Sequence, residues 1–143
     1  MRKWIISIFL LSGLLWATDA VVAAQKLGVE SQYSVALKKA QTQKRMLVMI
    51  IVKKHCRWCN KLIDRTLHDR DVKRTLDEEF VTLIIDKDAD YPKVFRENFF
   101  PSMFFIDAKT QKSVYENIGY IDAKTLLNDL HEAKQLQKTL YSD

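Results

Sequence analysis

The sequence predicts an α/β fold, a central mixed sheet of four to five strands flanked by helices. Three observations carry this. Met46–Val52 (MLVMIIV), residues 80–85 (FVTLII) and residues 102–106 (SMFFI) are unbroken apolar runs of strand length, the pattern of strands buried on both faces. The segments between them place apolar residues at helical spacing, and a strand feeding a helix feeding a strand implies parallel pairing. The last two strands are separated only by a short turn at 107–112, which implies an antiparallel hairpin.

The elements follow in order. Tyr33, Ala36, Leu37 and Ala40 mark an amphipathic helix near residues 31–44. The first strand is Met46–Val52. Cys59, Leu62, Ile63, Thr66 and Leu67 fall at i, i+3, i+4, i+7 and i+8, one face of a helix over about 57–68. His68-Asp69-Arg70-Asp71 breaks it, and either aspartate suits the cap of a short helix over 72–79. The second strand covers 80–85 and ends at Asp86. Residues 91–98 read as a short helix with Pro92 in its first turn. Strands over 102–106 and 113–118 follow, the latter ended by Gly119. Asp122 then caps a last helix whose apolar face is Ala123, Leu126, Leu127, Leu130 and Ala133. The order is α-β-α-α-β-α-β-β-α.

The first two dozen residues have a different grammar. Met1-Arg2-Lys3 is a positive leader, residues 4–16 (WIISIFLLSGLLW) carry no charge, and ATDAVVAA follows with Val22 and Ala24 in a small-x-small arrangement. This predicts a secretory signal peptide over 1–24, cleaved after Ala24, and a single domain over 25–143. An uncleaved anchor helix is the alternative, although the run is short for a bilayer span of roughly 20 residues. The expected location is the periplasm or the exterior, with a soluble, monomeric mature form. With 143 residues, 48% of them hydrophobic, the chain can bury a core without disulfide staples, and three glycines and two prolines exclude a low-complexity array.

The formal net charge is +5. Removing residues 1–24 takes away Arg2, Lys3 and Asp19 and leaves 21 basic and 17 acidic residues. Residues 53–74 hold eight basic side chains against three acidic ones (Asp64, Asp69 and Asp71), so the basic character is local. A nucleic-acid partner is not expected, because no aromatic-basic platform or recognition motif accompanies the charge.

That basic stretch encloses the only two cysteines, Cys56 and Cys59, in KKHCRWCNK. One C-x-x-C pair and three scattered histidines (55, 68 and 131) do not make a closed zinc site, and no metal is expected. Soft thiolates also select copper(I), so a copper-handling role stays open. Covalent haem attachment needs a histidine after the second cysteine, where Asn60 stands. A static staple closing so small a loop would constrain little. Redox chemistry fits better. At a strand-to-helix junction the Cys56 sulfur faces unpaired backbone N–H groups and the positive helix end, which favours the reactive thiolate. Cys59, one turn on and on the apolar face, is placed to attack a mixed disulfide on Cys56. Lys53, Lys54, Arg57 and Lys61 add positive potential.

From about Tyr33 to Ala133 the chain resembles the thioredoxin superfamily, in particular exported bacterial thioredoxin-like thiol–disulfide oxidoreductases. The carrying stretches are MLVMIIVKKHCRWCNKLI, HDRDVKRTLDEEFVTLIIDKD, FFPSMFFID and GYIDAKTLLNDL. The resemblance implies a thioredoxin-like fold, Pro101 as a cis-proline packed beside the disulfide, and Phe100 as the residue whose backbone pairs with a substrate chain. It departs in three places. Arg57-Trp58 replaces the family's Gly-Pro, Ile50 stands where a buried aspartate is usual, and His55 stands where a tryptophan is usual. His55 reads either as a surface side chain or as a charge that changes with pH near the thiols, and Trp58 either as core or as an exposed docking wall.

The function expected is an extracytoplasmic thiol–disulfide oxidoreductase; the resemblance implies reductase or isomerase work, stabilisation of the thiolate pulls toward an oxidase, and the direction stays open. The enzyme uses Cys56 and Cys59 as catalytic residues, Trp58, Phe100 and Pro101 to bind substrate, and His55 and Arg57 to tune the thiolate. Its partners are protein thiols and disulfides and a redox partner protein, a membrane electron donor being one candidate. No cofactor is expected. The alternative is a copper- or haem-maturation chaperone that uses the pair for binding rather than turnover.

Overall fold

The computed structural model describes residues 19–141. Its elements are α1 (Asp19–Leu27), α2 (Tyr33–Gln43), β1 (Met46–Val52), α3 (Arg57–Lys61) running into a π-helical turn (Leu62–Leu67), α4 (Arg70–Glu79), β2 (Phe80–Asp86), a 3-10 turn (Lys93–Phe95), β3 (Ser102–Asp107), β4 (Lys112–Ile118) and α5 (Ala123–Tyr141). The four strands form one mixed sheet in the order β2-β1-β3-β4. β1 pairs parallel with β2, from Met46↔Phe80 to Val52↔Asp86. β3 is antiparallel to β1 and to β4, with an irregularity between Phe105 and Ile106. Outside β2, Glu30 forms an isolated parallel bridge with Leu83, with Glu30 N–H on Thr82 O (3.0 Å) and Ile84 N–H on Glu30 O (3.0 Å).

The apolar runs are continuous because the sheet is covered on both sides. Alternate residues of β1 go to opposite faces. Met46, Val48, Ile50 and Val52 join Met103, Phe105, Leu126, Leu130 and the two cysteines under α1, α3, α4 and α5. Leu47, Met49 and Ile51 join Leu83, Phe104 and Ile106 under α2, with Tyr91 and Phe95. β4 is an edge strand and only partly covered, so its sequence (KSVYENI) lacks the apolar run of the others.

The local signals act as their chemistry requires. Of the two aspartates before α4, Asp69 is the cap, its Oδ1 accepting from Asp71 N–H (3.0 Å) and Val72 N–H (3.1 Å). Asp122 Oδ1 accepts from Thr125 N–H (2.8 Å) at the start of α5. This bond is the main reason its carboxyl is held below the ordinary carboxylate range. The helix expected over 91–98 is shorter than its pattern, only Lys93–Phe95 coiling. The Arg96 guanidinium ties the loop to the Lys87 and Ala89 carbonyls instead.

The larger surprise is α1. It spans the position expected to be cleaved, and Ala20, Ala23, Ala24 and Leu27 are buried in the core beside β2. Residues 1–18, which carry the rest of the expected leader, lie outside the described residues. Among the described residues no helix is long and apolar enough to cross a membrane.

Candidate redox site at the end of the first strand

β1 delivers the chain to the rim of the sheet, and Lys53-Lys54-His55 turns it into α3. His55 takes a left-handed conformation (φ 54°) to make that turn. Cys56 is the N-cap of α3. Its Sγ accepts from Cys59 N–H at 3.1 Å, and its carbonyl accepts from Asn60 N–H at 3.0 Å. The sulfur therefore occupies the position in which a capping serine or aspartate satisfies an orphan helix N–H. Cys56 and Cys59 are joined as a disulfide, their Cα atoms 5.2 Å apart. Cys56 is 6% exposed and Cys59 1%.

β3 brings the second wall. The Phe100–Pro101 bond is cis, and Phe100 O lies 3.8 Å from Cys56 Sγ. Gly119 N–H donates to Pro101 O (2.8 Å), which ties this loop to the end of β4. The third wall is aromatic and cationic. Trp58 is 44% exposed, and its ring lies 5.7 Å from that of Tyr120. The Arg57 guanidinium sits over the Trp58 ring at 4.8 Å. Lys61 Nζ is 5.0 Å from the centre of Trp58 and 4.5 Å from that of Tyr120. Lys53 Nζ lies 5.8 Å from the centre of Phe100.

Cys56, Cys59, Phe100 and Pro101 thus come together, with Trp58 on their solvent side. Arg57 belongs to the same cluster but rests on Trp58. Tyr120 had no sequence signal of its own. It lies 62 residues past Trp58 and enters only because the turn after β4 faces α3. A cleft beside Cys59 was equally silent. It lies between α1 and the π turn and is lined by Ala23, Lys26, Ile63, Asp64 and His68. The His68 ring is fixed there by a 2.7 Å contact from Nδ1 to Ile63 O. Among the described residues no three His, Cys, Asp or Glu side chains gather to hold a metal ion.

A disulfide capping a helix, walled by a cis-proline loop and set at the end of a central strand, defines a thiol–disulfide oxidoreductase. The comparisons agree. A thioredoxin-like family model matches residues 29–108, and the chain belongs to that family. A thioredoxin from Thermus thermophilus superposes with a TM-score of 0.64 at 24% identity, over 73% of this chain and 85% of that one. A DsbH oxidoreductase gives 0.59 at 17%, over 75% and 84%. The oxidised C-terminal domain of Neisseria meningitidis DsbD gives 0.59 at 18%, over 82% and 99%. These identities speak to the fold. No curated protein sequence matches the chain.

Proposed function

We propose that this oxidoreductase acts outside the cytoplasm and reduces or isomerises disulfides of other proteins. Cys56 is the attacking sulfur and Cys59 the resolving one. The Cys56 thiolate attacks a substrate disulfide, forming a Cys56–substrate disulfide and releasing one substrate thiolate, which takes up a proton. Cys59 then loses its proton and attacks Cys56 Sγ. The Cys56–Cys59 disulfide forms and the second substrate thiolate leaves. Two electrons pass to the substrate, and a redox partner protein returns them. The Phe100 carbonyl lies beside Cys56 Sγ and offers a backbone group with which an unfolded substrate segment can pair.

One observation carries the division of labour. The Cys59 N–H points at Cys56 Sγ from 3.1 Å, a donor that favours a thiolate on Cys56 and offers nothing comparable to Cys59. The outer location rests on the leader-like grammar of the first residues. The reducing direction rests on the family resemblance. It is tested by equilibrating the Cys56/Cys59 couple with glutathione. A potential near that of thioredoxin, about −270 mV, supports a reductase, and one near about −120 mV reverses the direction. Fractionation of cells making the full chain tests location: recovery in the cytosol overturns export.

A further inference from the structure

Three cations around the disulfide rest on aromatic rings, as Arg96 does on Tyr91 at 4.1 Å. Other cations meet carboxylates: Lys39 with Glu30 at 2.8 Å, Lys134 with Glu79 at 2.6 Å, and Lys73 with Asp77. Residues 53–61 contain no acid at all. Among the described residues Lys53, Arg57 and Lys61 form no ion pair. Each rests instead on an aromatic ring, Lys53 on Phe100, Arg57 on Trp58, and Lys61 on both Trp58 and Tyr120. A ring's quadrupole holds a cation in place without neutralising it. The nearby acid Asp122 caps α5 as a carboxylate, and Asp64 lines the cleft behind Lys53 and Cys59. The result is a predominantly positive rim around the reacting sulfur, held on aromatic rings, with Phe99 (71% exposed) next to Phe100 in the chain.

We propose that the natural partner presents its cysteine within an acidic, extended protein segment, whose carboxylates engage Arg57, Lys61 and Lys53 while its apolar side chains lie on Trp58 and Phe99. The inference rests on the thiol–disulfide exchange reading and adds a substrate class to it. A nucleic acid or an anionic lipid would match the charge, but neither brings a sulfur atom to Cys56. Charge complementarity acts mainly on the encounter rate and on rejection of like-charged chains. A basic segment is therefore selected against, as an acidic one is selected for.

The test uses the full protein, reduced with dithiothreitol and freed of it. It is mixed with excess peptide disulfides that are identical except for glutamates or lysines flanking the cysteine. Each turnover converts the protein dithiol to the Cys56–Cys59 disulfide and one peptide disulfide to two peptide thiols, with the two cysteine protons passing to those thiols. Flanking carboxylates make a peptide disulfide intrinsically slower to attack, so each rate is divided by that of dithiothreitol with the same peptide. The expected ratio, acidic over basic, is about tenfold or more at low ionic strength. It falls steeply as added salt shortens the screening length to a few ångströms. The double variant Arg57→Glu with Lys61→Glu inverts the preference. The milder Lys61→Gln lowers the ratio and serves if the double variant does not fold. Hydroxyethyl disulfide, which carries no charge, separates the two readings. Normal reduction of it with a peptide ratio of one overturns the acidic-partner proposal alone, and no reduction of it overturns the exchange reading as well. Binding to phosphatidylglycerol vesicles with a peptide ratio of one assigns the rim to a membrane and overturns the proposal.

Discussion

Cys56 and Cys59 differ in what a reagent meets once the disulfide is opened. Cys56 is the more exposed of the two, at 6% against 1% for Cys59, and has a backbone N–H aimed at its sulfur. Limiting iodoacetamide at mildly acidic pH is expected to label Cys56 first, as mass mapping of the alkylated peptides would show, and dominant labelling of Cys59 would reverse the roles. Cys56→Ser is expected to abolish exchange. Cys59→Ser is expected to accumulate a mixed disulfide between Cys56 and substrate, visible on a non-reducing gel. The sequence displayed this pair plainly, because the spacing, the preceding apolar strand and the later Phe-Pro-Ser are local patterns. It did not display how the cations are held. Arg57 and Lys61 read as charge near the thiols, yet their positions depend on Trp58 and Tyr120, which only the fold brings together.

At the scale of elements, strands buried on both faces were legible because every residue must be apolar. Bounds were clear where a cap or a turn residue stood. The π turn at Leu62–Leu67 was not, since Cys59, Leu62, Thr66 and Leu67 are buried as an ordinary helix would bury them. Two elements lend themselves to measurement. On β2, the Thr82 hydroxyl is buried without a hydrogen-bond partner among the described residues. Thr82→Val keeps the β-branched shape and removes an unpaired polar group, so it is expected to stabilise the protein by about 1 kcal/mol in urea titration. A loss of stability would mean that the hydroxyl has a partner, such as a bound water. At α5, the depressed Asp122 carboxyl makes a contribution that is fully present above the ordinary carboxylate range of about 4. It is lost as pH falls through the lower folded-state value. Asp122→Ala is therefore expected to lower Tm at neutral pH, with the difference from wild type closing in acid. Asp122→Asn is expected to keep most of the cap, and its Tm should lack that acid-dependent component.

For the whole molecule, the telling segment is α1. Composition placed it with the leader, since small apolar residues before a polar stretch look the same whether they await a peptidase or a core. The fold uses them as core: Ala20, Ala23 and Ala24 are buried beside β2, and Ala23 lines the cleft next to Cys59. A chain starting at Gln25 is expected to be less stable than one starting at Asp19 by about 2 kcal/mol, three buried methyl groups at about 0.8 kcal/mol each. Equal urea midpoints for the two chains would show that residues 19–24 contribute nothing.

If the bond after Ala24 were a cleavage site, the same six residues, 19–24, would face two competing claims in time. A peptidase needs its target strand extended and accessible, and α1 offers Ala24 coiled and buried. Once the sheet has formed, the bond after Ala24 is protected by the fold it would be cut from. Any processing at that bond would have to outrun folding, or wait for local opening of α1. An oxidoreductase that folds early would keep its helix and whatever precedes it. The decision between a released and a tethered enzyme would then be made by a race, with the alanines as the finishing line.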